Sequence, residues 1–190
     1  MQPLKDRIRA EGRVLPGNII KVDGFLNHQV DVQLLRAMAK EFRLLFPQKD
    51  ITKILTVEAS GIALAAIAAE VFGVPMVFAK KAKSDNIEGG LYQSDIYSYT
   101  YKKKVTLLMS KQWLTPHDHV LIVDDFLANG EAIRGLIEIV EKSGATLTGV
   151  GIAIEKGFQP GGKIIREKGI NLQSLAIIES AEENNIVFRE

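Results

Sequence analysis

The segment Val120–Ala132, VLIVDDFLANGEA, is the most informative part of this 190-residue chain. Four apolar residues lead directly into two adjacent carboxylates, Asp124 and Asp125, and a loop containing Gly130 then opens a helical pattern. A continuous apolar run is typical of a strand buried on both faces of a parallel sheet. Polar groups at the end of such a strand face the crevice in which open α/β sheets bind ligands, and free N–H groups at a helix start bind anions. The segment therefore predicts a site for a phosphorylated sugar.

The pattern around this segment predicts one doubly wound α/β domain over residues 1–190. A β-α-β unit covers residues 51–79, and a β-α-β-α-β run covers residues 119–178. The excursion between them, about residues 80–112, carries the pair Gly89-Gly90 and all four tyrosines of the chain. Long excursions in compact domains are often active-site lids. We therefore expect a mainly parallel sheet with an antiparallel hairpin inserted as part of a mobile lid.

Composition excludes several classes of protein. The formal net charge is +1 and charged residues make up 25%, which argues against general nucleic-acid binding. The absence of cysteine excludes disulfides and thiolate metal sites and is consistent with a reducing cytosol. The first residues lack the apolar core of a signal peptide, and no apolar run approaches the length of a membrane span. We expect a cytoplasmic protein without a membrane partner.

Each candidate site also has a simpler explanation. Paired acids such as Asp124-Asp125 bind Mg²⁺ in receiver-like domains or merely cap a helix. The run Glu58–Gly61 (EASG) lies at a second strand-to-helix junction and is equally typical of an ordinary turn. A lysine that follows a strand is usually a solvated surface residue, and this holds for Lys156 as for the pair Lys80-Lys81.

The segment Val120–Ala132 resembles the phosphoribosyl pyrophosphate (PRPP) signature of type I phosphoribosyltransferases. That signature consists of an apolar strand, two acids, two apolar residues, a small residue, Thr, Gly, any residue and Thr. Asn129 and Ala132 stand where the signature has its two threonines, so backbone amides must replace the lost hydroxyls. The arm around Phe25–Gln29 (FLNHQ) and the run Ile154–Gly161 (IEKGFQPG) are similar to bacterial members of the family that act on xanthine. The resemblance covers nearly the full chain and implies the type I phosphoribosyltransferase fold.

The resemblance assigns a set of residues to the PRPP donor. Asp124 and Asp125 would be the catalytic pair, accepting hydrogen bonds from the ribose 2- and 3-hydroxyls. The 5-phosphate would lie in the loop formed by Ala128, Asn129, Gly130, Glu131 and Ala132. The pyrophosphate would bind Glu58, Ala59, Ser60, Gly61, Lys80 and Lys81. Mg²⁺ would be carried by the pyrophosphate of the donor rather than by protein side chains.

A second set of residues is implied for the purine base. Lys156 would donate a hydrogen bond to the purine 6-oxygen, and because an ammonium cannot accept one it favours a 6-oxo over a 6-amino group. Ile20 and Asn27 would contact xanthine from the amino-terminal arm. Phe158 would either stack on the base or pack beneath the loop. Ala128 stands where hypoxanthine-guanine transferases carry an Asp proposed as general base, so the proton of the base must leave by another route.

The implied activity is purine salvage. The enzyme would transfer the 5-phosphoribosyl group of PRPP to N9 of xanthine, releasing diphosphate and forming xanthosine 5-monophosphate (XMP). A small hood, from about residues 1–30 and the loop near 156–162, would complete the site, and family members are commonly homodimers. One alternative is an enzyme that prefers guanine or hypoxanthine. The other is a PRPP-sensing purine regulator, which is disfavoured because the short amino-terminal segment leaves no room for a winged helix.

Overall fold

A six-stranded sheet forms the centre of the molecule. The computed structural model describes residues 1–47, 50–81, 90–98, 103–182 and 185–190. The helices are α1 (Gln2–Glu11), α2 (Val32–Leu45), α3 (Gly61–Phe72), α4 (Glu131–Ser143) and α5 (Gly161–Glu167). The strands are β1 (Arg13–Leu15), β2 (Ile19–Lys21), β3 (Lys53–Val57), β4 (Met76–Ala79), β5 (Leu91–Ser98), β6 (Lys103–Ser110), β7 (His119–Leu127), β8 (Thr146–Lys156), β9 (Leu172–Glu182) and β10 (Asn185–Phe188).

The strand order brings the two predicted ligand loops together. The order is β10-β9-β8-β7-β3-β4, and every pair is parallel except β10 with β9. The chain adds β4 on one side of β3, and β8 and β9 on the far side of β7, so the winding reverses between β3 and β7. Ligands of open α/β sheets bind at such a switch point, outside the carboxyl ends of the strands. Glu58 follows β3 and Ala128 follows β7, so both loops lie at this crevice.

Helices cover both faces of the sheet, as strands with near-continuous apolar sequences require. The helices α1, α2 and α3 pack on one face, while α4, α5 and the β5–β6 hairpin pack on the other. The small residues Ala65, Ala68 and Ala69 of α3 are buried, which lets this helix lie close to β3 and β7. The apolar stripe of α4 has helical spacing and consists of Ile133, Leu136, Ile137 and Val140. The helices that follow the two switch-point strands, α3 and α4, thus begin beside the crevice.

The excursion after β4 contains the expected antiparallel hairpin, formed by β5 and β6. This hairpin is fastened along α4: Ser94 Oγ donates to Glu138 at 2.7 Å, and Arg134 donates to the Asp95 carbonyl at 2.8 Å. The side chain of Leu107 on β6 is fully buried in the core on that face. Residues 82–89 and 99–102 of the predicted lid lie outside the described residues, so the mobile lid stays a prediction.

The expected doubly wound, mainly parallel fold is confirmed, with three corrections to its elements. β7 does not end before the acids but continues through them to Leu127, because β8 pairs with it as far as Glu155. β9 extends to Glu182, and β10 adds an antiparallel edge strand that the sequence pattern did not predict. The amino-terminal arm forms the two-stranded ribbon β1–β2 and a π-helical turn at Asp23–Asn27. Among the described ranges, no helix combines the length and apolar character needed to cross a membrane.

Candidate active site

Asp125 joins three parts of the chain that are far apart in sequence. Its carboxylate accepts a hydrogen bond from Asn27 Nδ2 at 3.2 Å and another from Ser60 Oγ at 3.0 Å. Asn27 belongs to the amino-terminal arm and Ser60 to the loop after β3, while Asp125 lies in β7. The predicted base contact, ribose contact and pyrophosphate loop therefore meet at one carboxylate.

Asp124 is buried beside Asp125, and each residue is only 4% exposed. The Thr56 hydroxyl donates to Asp124 Oδ1 at 3.4 Å. The helix α3 begins directly against this pair, because a Cβ at Gly61 would lie within 3.0 Å of Asp124 Oδ1 and Thr56 Oγ1. Position 61 therefore requires glycine, which explains the last residue of the Glu58–Gly61 run in terms of packing.

The burial of the two acids changes their charge. Burial and, secondarily, the neighbouring Asp125 carboxylate raise the pKa of Asp124 well above its usual range, while the nearby charge of Lys81 partly opposes them. The pair thus carries fewer than two negative charges over a wider pH range than two exposed aspartates do. A protonated carboxyl donates and a carboxylate accepts, so such a pair can bind neutral sugar hydroxyls without strongly repelling the phosphates of the same ligand.

We expect the Asp124→Asn variant to be more stable than the parent protein at about pH 8, with a gain that shrinks toward about pH 4. The folded pKa of Asp124 is raised, so the unfolded chain ionises first as pH rises and the free energy of unfolding falls until the folded pKa is passed. Asparagine does not ionise and avoids this loss. Thermal denaturation across that pH range is the measurement, and each kcal/mol gained should raise Tm by roughly 2–4 °C in a chain of this size.

Asp118→Asn is a matched control for this prediction. Asp118 is also buried, but its Oδ1 pairs with Lys53 Nζ at 2.9 Å. Burial by itself would raise the pKa of Asp118, and hydrogen bonds from Lys53 and Thr115 outweigh burial and lower it. Its contribution to stability is therefore present above the unfolded pKa and lost in acid, so the control should be less stable than the parent at about pH 8. A loss of stability in Asp124→Asn at that pH would contradict the prediction.

The loop after β3 is held on both sides. The peptide bond between Glu58 and Ala59 is cis. The Glu58 carboxylate accepts a hydrogen bond from the Lys81 N–H at 2.6 Å, and the Ser60 hydroxyl bonds Asp125. The backbone of Lys80 pairs with Leu108 of the hairpin. The structure thus brings the predicted pyrophosphate residues, Lys81 included, to the same end of β3 and β4.

The loop after β7 forms one wall of an open pocket. Gly130 has φ +88°, a conformation that favours glycine, and α4 begins at the next residue. The pocket is lined by Lys81, Ile96, Tyr97, Val105 and the run 126–133. The carboxylate of Glu131 is turned onto Arg134 Nη2, at 3.0 Å, and the Tyr97 N–H, at 3.1 Å. Hydrogen bonds from Arg134 lower the pKa of Glu131, so in this loop it is the backbone N–H of Glu131 that is suited to an anion.

Lys156 lies at the end of β8, on the side where the arm meets the sheet. Its ammonium donates to the Asn18 carbonyl at 3.2 Å, and burial lowers the pKa of Lys156. The predicted arm contact Ile20 is buried at 7% exposure. Phe158 packs against the core on the α1–α3 face, which corresponds to the packing alternative for this residue.

Glu155, the residue before Lys156, forms a buried ion pair with Arg166. Glu155 is 2% exposed and accepts two hydrogen bonds from Arg166 of α5, each at 2.7 Å, and a third from Ser174. Burial alone would raise the pKa of Glu155, but the bonds from Arg166 and Ser174 outweigh burial and lower it. The pair fixes α5 against β8 and so bounds the loop between Lys156 and Gly161.

The family model described as phosphoribosyl transferase domain matches residues 21–185. This chain belongs to the phosphoribosyltransferase family. Three relatives named xanthine phosphoribosyltransferase match this phosphoribosyltransferase along its whole length. The protein of Lachnoclostridium phytofermentans is 58% identical, with 100% of this chain and 98% of that protein covered. Those of Ruminiclostridium cellulolyticum and Bifidobacterium longum are 55% and 53% identical, with both partners covered completely.

Solved structures confirm the type I fold of this phosphoribosyltransferase. The APRTase of Giardia lamblia, solved with 9-deazaadenine, is 27% identical with a TM-score of 0.78, covering 94% of this chain and 98% of that one. The adenine phosphoribosyltransferase of Saccharomyces cerevisiae is 20% identical with a TM-score of 0.74, covering 92% of this chain and 99% of that one. At 20% identity, the similarity to the Saccharomyces cerevisiae structure shows a shared fold only.

The structure also shows residues near the site that sequence reasoning missed. Thr56 contacts Asp124, and the Asn18 carbonyl accepts from Lys156. Gln159 has a buried Oε1 without a hydrogen-bond partner within the described part of the chain. Gly161 donates to the Ala128 carbonyl at 3.1 Å. The Pro-Gly-Gly run at 160–162 was a turn signal in the sequence, but nothing local indicated which loop it would contact.

Proposed function

We propose that this protein is a xanthine phosphoribosyltransferase, which transfers the 5-phosphoribosyl group of PRPP to N9 of xanthine and forms XMP and diphosphate. The observation that carries the proposal is the convergence of Asn27, Ser60 and Asp125 at the switch point. These residues come from the three segments assigned to base, pyrophosphate and ribose. The name shared by the full-length relatives supports xanthine as the base.

The donor would be held along the crevice between β3 and β7. Its 5-phosphate fits the N–H groups of the loop from Ala128 to Ala132, and its ribose hydroxyls fit the pair Asp124-Asp125. Ser60 and the charge of Lys81 lie on the side where the pyrophosphate leaves. Negative charge accumulates on a departing pyrophosphate, so positive charge placed there stabilises the transition state.

The reaction requires positioning more than covalent help from the protein. As the bond from C1 of the ribose to pyrophosphate breaks, the sugar becomes oxocarbenium-like and N9 of the purine attacks C1. Fixing both substrates in the crevice supplies much of the rate acceleration, and excluding water prevents hydrolysis of the reactive sugar. Ala128 has no side chain able to take the purine proton, so we infer that xanthine gives its ring N–H proton to solvent water before N9 attacks C1.

Magnesium would enter with the donor. The described residues contain no group of three or more His, Asp or Glu side chains that could hold a metal ion. Asp124 and Asp125 are buried and already hydrogen-bonded. We therefore assign these two acids to the sugar hydroxyls and the metal ion to the pyrophosphate oxygens of the donor. Mg²⁺ held there would neutralise the negative charge of the leaving group.

Lys156 separates 6-oxopurines from adenine but does not separate the 6-oxopurines from each other. Its ammonium donates to a 6-oxygen and has no acceptor for a 6-amino group. An enzyme that prefers guanine or hypoxanthine is therefore the second candidate. Discrimination at the purine 2-position would rest on Asn27, whose amide both donates and accepts and so suits the 2-oxo group and adjacent N–H of xanthine.

We also propose that the enzyme is a cytoplasmic homodimer. The exposed large apolar side chains of the described residues include two aromatic ones, Phe78 on the edge strand β4 and Trp113 after β6, at 36% and 57% exposure. Such residues are enriched at protein interfaces. Light scattering on the purified protein is the measurement, and a mass of one chain at micromolar concentration would contradict the proposal.

The test of function is a direct assay. The protein is incubated with PRPP, Mg²⁺ and labelled xanthine, and parallel reactions contain guanine, hypoxanthine or adenine. We expect the kcat/KM for xanthine to be at least about tenfold above that for guanine or hypoxanthine, because losing one well-placed hydrogen bond lowers kcat/KM by about tenfold. We expect almost no nucleotide from adenine. A clear guanine preference would select the second candidate, and no transfer to any base would reject both.

A further inference from the structure

The loop after β7 rests on the start of α5 through a contact between backbone atoms. The Gly161 N–H donates to the Ala128 carbonyl at 3.1 Å. A Cβ at position 161 would lie within 3.0 Å of Ala128 O, Gly130 N and the Asn129 carbonyl carbon. Backbone atoms cannot move aside as the end of a flexible side chain can. Only glycine permits this approach.

The contact fixes the direction of one peptide group in the phosphate loop. In a trans peptide the C=O and N–H of one unit point in opposite directions. The unit between Ala128 and Asn129 has its carbonyl bonded to Gly161, so its N–H points away from α5. Among the described residues that line the pocket, the contributors are this loop, the start of α4, the hairpin and Lys81, and none belongs to α5. An Asn129 N–H that points away from α5 can therefore face this pocket.

This orientation matters more here than in a loop with hydroxyl side chains. Asn129 and Ala132 supply no hydroxyl for a phosphate. A carbonyl oxygen turned into the pocket would repel a phosphate, whereas an N–H group binds it. Gly130, with φ +88°, also lies against Gly161, since a Cβ at position 130 would lie 3.0 Å from Gly161 Cα.

We propose that Gly161 is a positioning residue for donor binding: its N–H holds the Ala128 carbonyl back and so turns the Asn129 N–H toward the 5-phosphate. The inference rests on the proposed function, because it takes the loop as the 5-phosphate site. The Gly161 contact also connects the 5-phosphate site to the loop that follows Lys156. In that loop the Gln159 N–H donates to the Lys156 carbonyl at 2.9 Å, and α5 begins at Gly161.

The Gly161→Ala variant tests this inference with two ligands that probe different loops. Titration calorimetry with ribose 5-phosphate probes the loop after β7, and titration with inorganic pyrophosphate probes the loop after β3. We expect the Kd for ribose 5-phosphate to rise at least about tenfold, as for the loss of one charge-assisted hydrogen bond, with the Kd for pyrophosphate unchanged within about threefold. Gly161→Ala with both affinities unchanged, or with both weakened alike, would overturn the inference.

Gly162→Ala is the matched control. It introduces the same methyl group one residue later, where it would collide with the side chains of Glu155 and Arg166 rather than with the phosphate loop. Its Kd for ribose 5-phosphate should stay within about threefold of the parent even if its Tm falls. An equal loss of ribose 5-phosphate affinity in this control would also overturn the inference, because any disturbance of α5 would then be enough to weaken ribose 5-phosphate binding.

A measurement on the unaltered protein keeps the inference testable if Gly161→Ala does not fold. In amide NMR, ribose 5-phosphate should move the Asn129 proton downfield as its N–H meets the phosphate, and an unmoved Asn129 signal at saturation would refute the inference. A parent protein that binds neither ligand would refute the proposed function and this inference together. A parent that binds both ligands but does not use xanthine would refute only the choice of base.

Discussion

We expect Asp125→Ala to reduce kcat/KM for PRPP by about a thousandfold or more while leaving the fold intact. The carboxylate is the predicted acceptor for ribose hydroxyls, and charge-assisted hydrogen bonds of this kind contribute about 1.5–3 kcal/mol each. Its loss also releases Asn27 and Ser60, which both donate to it. The variant therefore loses binding energy and the alignment of base arm and pyrophosphate loop together. Steady-state rates of XMP formation at varied PRPP are the measurement.

The fold should survive because Asp125 stabilises the site more than it stabilises the protein. Its charge raises the pKa of the buried Asp124, so removing it relieves a repulsion. We expect a Tm equal to or above that of the parent at neutral pH. Asp6→Ala, which removes an exposed carboxylate on α1, is a matched control with unchanged kinetics and Tm. An Asp125→Ala variant within about tenfold of parental activity would overturn the assignment of this residue.

The second large effect is expected at the base. Lys156→Ala should lower kcat/KM for xanthine by about a hundredfold, because the purine 6-oxygen loses its charged donor in a half-buried site. The KM for PRPP should stay within about threefold, since Lys156 lies on the arm side of the crevice and bonds the Asn18 carbonyl. Kinetics with each substrate varied in turn separate the two effects.

Two further variants sharpen the result for Lys156. Lys163→Ala removes a largely exposed lysine from the following helix and should leave both constants unchanged. Lys156→Gln keeps a donor and adds an acceptor, so it should narrow the preference for xanthine over adenine. If Lys156→Ala lowered kcat/KM equally for xanthine and for PRPP, the lysine would stabilise the loop rather than bind the purine base.

Most of the secondary structure follows from local sequence. The Asp31 cap of α2, the Gly73 end of α3 and the Gly144 end of α4 each depend on neighbouring residues alone, so local sequence is enough to specify them. The errors lie where pairing partners set the limits. β7 passes through its acids because β8 continues beside it, and β10 exists because β9 offers a free edge.

The sequence by itself determined the order of elements from β3 to β9, the acids in β7, the glycine turns and, through the resemblance, the family. These properties reside in short continuous segments whose apolar spacing and turn residues specify local conformation. Only the tertiary structure decided that β3 lies beside β7, that Asn27 and Ser60 share Asp125, and that Gly161 supports Ala128. These contacts join segments about 30 to 100 residues apart, and their geometry depends on strand order and on close backbone approach, which side-chain patterns do not encode.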